Sequence, residues 1–168
     1  MLFRSAGFTE EVAFRGLPVS LLVRQWREEK KILTIMILTS VIFGGIHFTN
    51  YFAGADFGST IMQTIGATGM GLFFCAIYLR CGNLWVPIGV HALHDLLCFL
   101  DVAGIQEGIV VQAITWFSYL DLLFSIGIGI LAIWMVRPSK RTEIRRLWNQ
   151  KWNITDTPSE PPIEVPVS

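Results

Sequence analysis

The stretch "ILTIMILTSVIFGGIHF", Ile32 to Phe48, contains no Asp, Glu, Lys or Arg, yet it carries a histidine, His47, next to its end. An uncharged run of this length, continued to Phe52, is what a helix needs to cross ~30 Å of hydrocarbon, for which about 20 residues suffice. Similar apolar runs, two of them holding a single aspartate, extend from Ser59 to Leu79, from Leu84 to Leu100 and from Val111 to Val136. The whole chain of 168 residues agrees, being 52% hydrophobic and only 15% charged, with a mean hydropathy of +0.53. Such a composition predicts an all-α, polytopic transmembrane helical bundle of about four spans.

Outward from these spans, Thr9 to Trp26 predicts a partly buried N-terminal helix with Thr9 as its N-cap and acids in its first turn. The opening "MLFRSAGFTEE" lacks the apolar core of a cleavable signal, so insertion is expected to rely on the helices themselves. Residues 1–137 form the membrane-embedded domain and 138–168 a cytoplasmic tail, expected to be mostly disordered. The tail's first part, "RPSKRTEIRRLWNQKW", is basic with aromatic anchors and reads better as a stop-transfer flank than as a headgroup-binding surface. Its second, "NITDTPSEPPIEVPVS", is proline-rich and polar.

Basic residues set the orientation. Arg24, Arg27, Lys30 and Lys31 precede the first span, Arg80 follows the second, and Arg137 to Lys151 follow the fourth, so all fall on one side. The opposite loops carry Asp56, Asp101 and Glu107. By the positive-inside rule the basic side, with the C-terminal tail, is cytoplasmic, and the protein is integral to the cell membrane. Helix packing is expected at Ala67, Gly71 and Cys75, and at Gly44 and Gly45, where small side chains permit close approach. No internal repeat suggests an inverted-repeat transporter.

Several functions are disfavoured at this level. Zero net charge gives no electrostatic support for nucleic-acid binding. Cys75, Cys81 and Cys98 form no CxxC pair, and neither HExxH nor GxSxG occurs.

What stands out is polar. An ionisable side chain in a span is costly and usually faces a bundle interior or wet cavity. All three histidines, His47, His91 and His94, lie in predicted spans; Asp95 follows directly, and Glu10, Glu11 and Arg15 sit on the preceding helix. Glu11 and Arg15, four apart with the acid first, are spaced for an ion pair that fixes the helix. Glu10 is turned about 100° from Glu11 and is free to point elsewhere. His91 and Asp95 share a face; His94 flanks it and reads as a packing histidine. Asp121 falls near the outer interface. A carboxylate in apolar surroundings is a useful general base, and a histidine beside it can hold water, so hydrolysis is the natural reaction class. Glu10, His47 and His91 are also the ligand types of a catalytic zinc or other divalent metal site.

Three segments carry a resemblance. "EEVAFRG" resembles the EExxxR motif, "FGGIH" the FxxxH motif and "HALHD" the HxxxN/D motif of the CAAX protease and bacteriocin-processing (Abi) family of intramembrane endopeptidases. The connecting run "GLFFCAIYLRCGNLWVPIGVHALHD" is similar to that family as well. The resemblance implies a peptide or protein substrate, with Glu10 and His47 activating water, His91 and Asp95 on the oxyanion side, and Arg15 supporting the glutamate helix. Members of that family usually carry further transmembrane helices before the EExxxR motif; with only eight residues before Thr9, this sequence is expected to lack them. Asp95 stands where many relatives have Asn; an ionised carboxylate there would need a proton, a histidine partner or a metal. The expected function is therefore a membrane endopeptidase. Its rivals are a non-catalytic relative acting by binding, as in bacteriocin immunity, and a transporter component using the histidines as a proton relay.

Overall fold

The computed structural model describes residues 3–102 and 116–153. Among them there is no strand. The helices run in the order α1 (Phe3–Glu11), a π-helical segment (Val12–Gly16), α2 (Leu17–Gln25), α3 (Lys31–His47), α4 (Thr49–Phe52), α5 (Phe57–Cys81), α6 (Trp85–Val102), α7 (Trp116–Met135) and α8 (Pro138–Lys151). Three stretches are long and apolar enough to cross a membrane: Lys31–Phe52, Phe57–Cys81 and Ser118–Met135. The all-α bundle is thus as expected, with α6 occupying the remaining predicted span at 18 residues, a rise of about 27 Å. Glu107 and the expected start of the fourth span at Val111 lie outside the described residues.

α5 is central, packing on α3 to one side and α7 to the other. Both contacts are made at glycines. A Cβ added to Gly44 would lie 2.8 Å from the Thr64 carbonyl oxygen, and one added to Gly69 would lie 2.9 Å from the Ser125 carbonyl carbon. Of the glycine pair expected at the α3 contact only Gly44 serves it; Gly45 has open space beside it. Two hydroxyls within the layer close on their own helices: Thr39 donates to the Ile35 carbonyl at 2.9 Å and Thr68 to that of Thr64 at 2.8 Å.

Two expectations are corrected. Thr9 is not an N-cap, because the helix already begins at Phe3. Gly7 explains the extension: it lets α1 lie against α6, where an added Cβ would sit 3.2 Å from Asp95 Oδ2. Tertiary contact here continues a helix that local signals would start later. The basic stretch, in turn, is not a loose tail. It forms α8, which buries Ile144, Arg145 and Trp148 against the bundle, while residues 154–168 lie outside the described ones. Trp148 packs edge-on against Tyr78 with ring centroids 5.2 Å apart, and its Nε1–H donates to the Leu79 carbonyl at 3.0 Å.

α1, the π segment and α2 form one continuous rod. Its π turn is registered by the Leu17 N–H, which bonds the carbonyl of Val12, five residues back. Pro18 contributes a local reason: it has no N–H to return to the carbonyl four residues earlier, so the α ladder is already broken there.

Candidate active site

The π segment lies beside the acids. Glu11 precedes it directly and Arg15 falls inside it, and both side chains are 0% exposed. Their ion pair is the one the spacing predicts, with Arg15 Nη1 3.0 Å from Glu11 Oε1. Desolvating both charges is costly, and the surroundings offset part of that cost. The guanidinium lies 4.1 Å from the Phe43 ring centroid and 5.5 Å from that of Phe74. Gly71 makes the space, since a Cβ there would come within 3.1 Å of Arg15 Nη2. The small residue expected at a helix contact therefore admits a cation instead.

Glu11 has a second partner that spacing does not reveal. His91 Nδ1 lies 2.9 Å from the same Oε1, across 80 residues of sequence. The ring is stacked on Phe74 at 4.7 Å and meets the edge of Phe43 at 6.1 Å. Clamped by two aromatic rings and a buried carboxylate, it has one orientation: Nδ1–H donates to Glu11 and Nε2 faces outward. There Nε2 is 3.4 Å from Asp95 Oδ1 and 3.8 Å from Glu10 Oε2. Asp95 Oδ1 is also 3.8 Å from His94 Nδ1, so the aspartate stands between two histidines.

Glu10 and Glu11, adjacent in sequence, are thus separated in environment. Glu10 is 36% exposed and reaches the accessible edge of the cluster, where Asp95 and His94 are about as open. Glu10, Glu11, Arg15, His91 and Asp95 come together; His47 stands apart. Its Nδ1 is 3.0 Å from the carbonyl oxygen of Phe43, one turn back on its own helix, and its ring packs on the Phe43 ring at 5.0 Å. Phe43 is therefore a wedge between His47 and His91. Phe74 and Gly7 escape a reading by motif, because one acts as a stacking surface and the other by being small.

This arrangement does not fit the metal set of Glu10, His47 and His91. Among the described residues no group of three or more His, Cys, Asp or Glu is disposed to hold an ion. The physical reason is local: His47 turns to its own backbone, and both nitrogens of His91 face carboxylates.

No curated protein and no solved structure matches the chain. Residues 1–97 match the family described as type II CAAX prenyl endopeptidase, Rce1-like, and that stretch holds every side chain of the cluster. With helices fit to span a membrane and this match over more than half its length, the chain belongs to the Rce1-like family of CAAX-protease-type membrane endopeptidases.

Proposed function

We propose that the protein hydrolyses a peptide bond of a peptide or protein substrate within the membrane, using water activated between Glu10 and His91. The observation carrying this reading is the fixed ring of His91, whose Nδ1 is committed to Glu11 while Nε2 lies 3.8 Å from Glu10 Oε2. That gap suits a water donating one hydrogen to each atom. Glu10 takes a proton from this water, the hydroxide adds to the scissile carbonyl carbon, and the proton passes from Glu10 to the leaving nitrogen as the C–N bond breaks. Glu11 acts as the orienter of His91, with Arg15 balancing its charge. Asp95 flanks Nε2 at 3.4 Å and stands 3.8 Å from His94 Nδ1 on its other side. His47 supports the site through Phe43.

The basic side, with α8, faces the cytoplasm of the cell in this reading; a tag after residue 153 that is protected from proteases added to intact cells checks it. Catalysis is tested by assaying wild type and Glu10→Gln, purified in detergent, on a peptide library with and without chelator. Glu10→Gln is expected to lose roughly 10²- to 10⁴-fold in kcat, the usual worth of a general base. Equal activity in both proteins removes the glutamate mechanism, and loss on chelation moves the assignment to a metalloprotease.

A further inference from the structure

The motif rod is held at both ends, and the far end is held from outside the matched stretch. α2 stops at Gln25, where Trp26 leaves helical geometry at φ −97°, ψ 88°. The last carbonyls of a helix lack intrahelical donors and carry its negative dipole end. Arg145 of α8, 8% exposed, closes this end: Nη1 donates at 2.8 Å to the carbonyl of Val23, in the last turn of α2, and Nη2 to those of Trp26 at 2.8 Å and Glu28 at 3.2 Å in the turn that follows. Ser20 and Tyr78, joined through their hydroxyls at 2.8 Å, tie the same helix to α5. At the near end α1 is seated on α6 by Gly7 and by the bond from His91 to Glu11.

Between these two attachments lies the π segment. A π turn accommodates one residue more than an α turn, and each residue of an α-helix rotates the chain by about 100°. Seating α2 on α3, and tying it to α5 and α8, while keeping α1 seated on α6 is what the extra residue allows. We infer that Arg145 is a positioning residue for the active site: by fixing α2 it maintains the π turn that points Glu11 at His91 and leaves Glu10 at the accessible edge. It acts along the rod, over about 18 Å from Val23 to Glu11. The inference rests on the reading of Glu10 and Glu11 given above.

The test uses full-length protein in nanodiscs, with Arg145→Gln, Arg145→Lys and, as control, Arg146→Gln at the exposed neighbour. Amide hydrogen exchange and peptidase kinetics are read on each. In Arg145→Gln, exchange over residues 12–25 is expected to rise roughly tenfold, the effect of losing a charge-assisted hydrogen bond, with α5 within about twofold of wild type. Its kcat should fall roughly ten- to a hundredfold, as misplacement does, with KM nearly unchanged. Arg145→Lys falls between, and Arg146→Gln matches wild type. Unchanged exchange over 12–25, an equal rise across α5, or an unaltered kcat beside raised exchange overturns the inference. A wild-type protein without peptidase activity refutes the proposed reaction instead, and the exchange arm alone then decides whether Arg145 holds the rod.

Discussion

Arg15 and Arg145 are both buried guanidinium groups, and they are neutralised in different ways. Arg15 lies among Phe43, Phe74 and a carboxylate; Arg145 lies among backbone carbonyls at a helix end. The first arrangement makes one charge depend on another, so removing either strands its partner. The second spreads a single charge over dipoles that exist whatever the side chains are. The basic end of the bundle repeats this second solution: Arg80 Nη1 donates to the Met135 carbonyl at 3.1 Å, Arg141 Nε to that of Val136 at 3.1 Å, and Lys151 to that of Gly82. Basic residues that topology alone would account for are here also closing helix ends.

The comparison breaks most sharply at Glu11. Glu11→Ala should cost about 3–5 kcal/mol by leaving Arg15 buried and uncompensated, read as a lowered unfolding midpoint in detergent. The double variant Glu11→Met with Arg15→Met should recover most of that stability while staying inactive, because an apolar pair replaces a buried ion pair at little cost. A double variant as unstable as Glu11→Ala would show that the charges themselves hold the fold. Next in size are the histidines. His91→Ala should lower kcat by roughly 10²-fold or more, whereas His47→Ala, acting only through Phe43, should lower it by about tenfold; the reverse order in a side-by-side assay would return His47 to the reacting centre.

Smallest is the exposed surface of α8. Lys140, hydrogen-bonded to Glu143, holds the Glu143 carboxyl below its ordinary range, with Arg80 adding to the effect. A depressed carboxyl contributes stability above the unfolded value and loses it as pH falls through the folded one. Glu143→Gln should therefore be slightly less stable than wild type at pH 7, with the difference fading on acidification; a difference that grew instead would reverse the assigned sign.

The spans were legible in the sequence because lipid imposes length and apolarity residue by residue, which is why α3, α5 and the C-terminal end of α7 fall near their expected bounds. The pairing of Glu11 with Arg15 was legible because it is local. The bond from His91 to Glu11 was not, since it joins helices whose spacing carries no common register. Nor was the role of Arg145: a basic residue beyond a span has a sufficient explanation in topology, and only the fold shows that its donors meet the end of α2. Thr9 misled for the opposite reason, a good local cap signal being overridden by the seat that Gly7 makes on α6.

The long-range bond of Glu11 also has a consequence in time. The motif helix leaves the ribosome some eighty residues before the histidine that receives it, and elongation at ~5–20 residues per second makes that an interval of several seconds. During it α2 can already pack on α3 and α5, but the α1 end, with Glu11, lacks its seat on α6 and is expected to stay at the water interface until α6 has entered. Biogenesis should therefore run out of chain order. In a nascent chain stalled before His91 is exposed, a thiol placed at Glu11, which is fully buried in the folded protein, should remain open to a water-soluble reagent and become shielded only in longer intermediates; early shielding would mean that the helix enters without its partner.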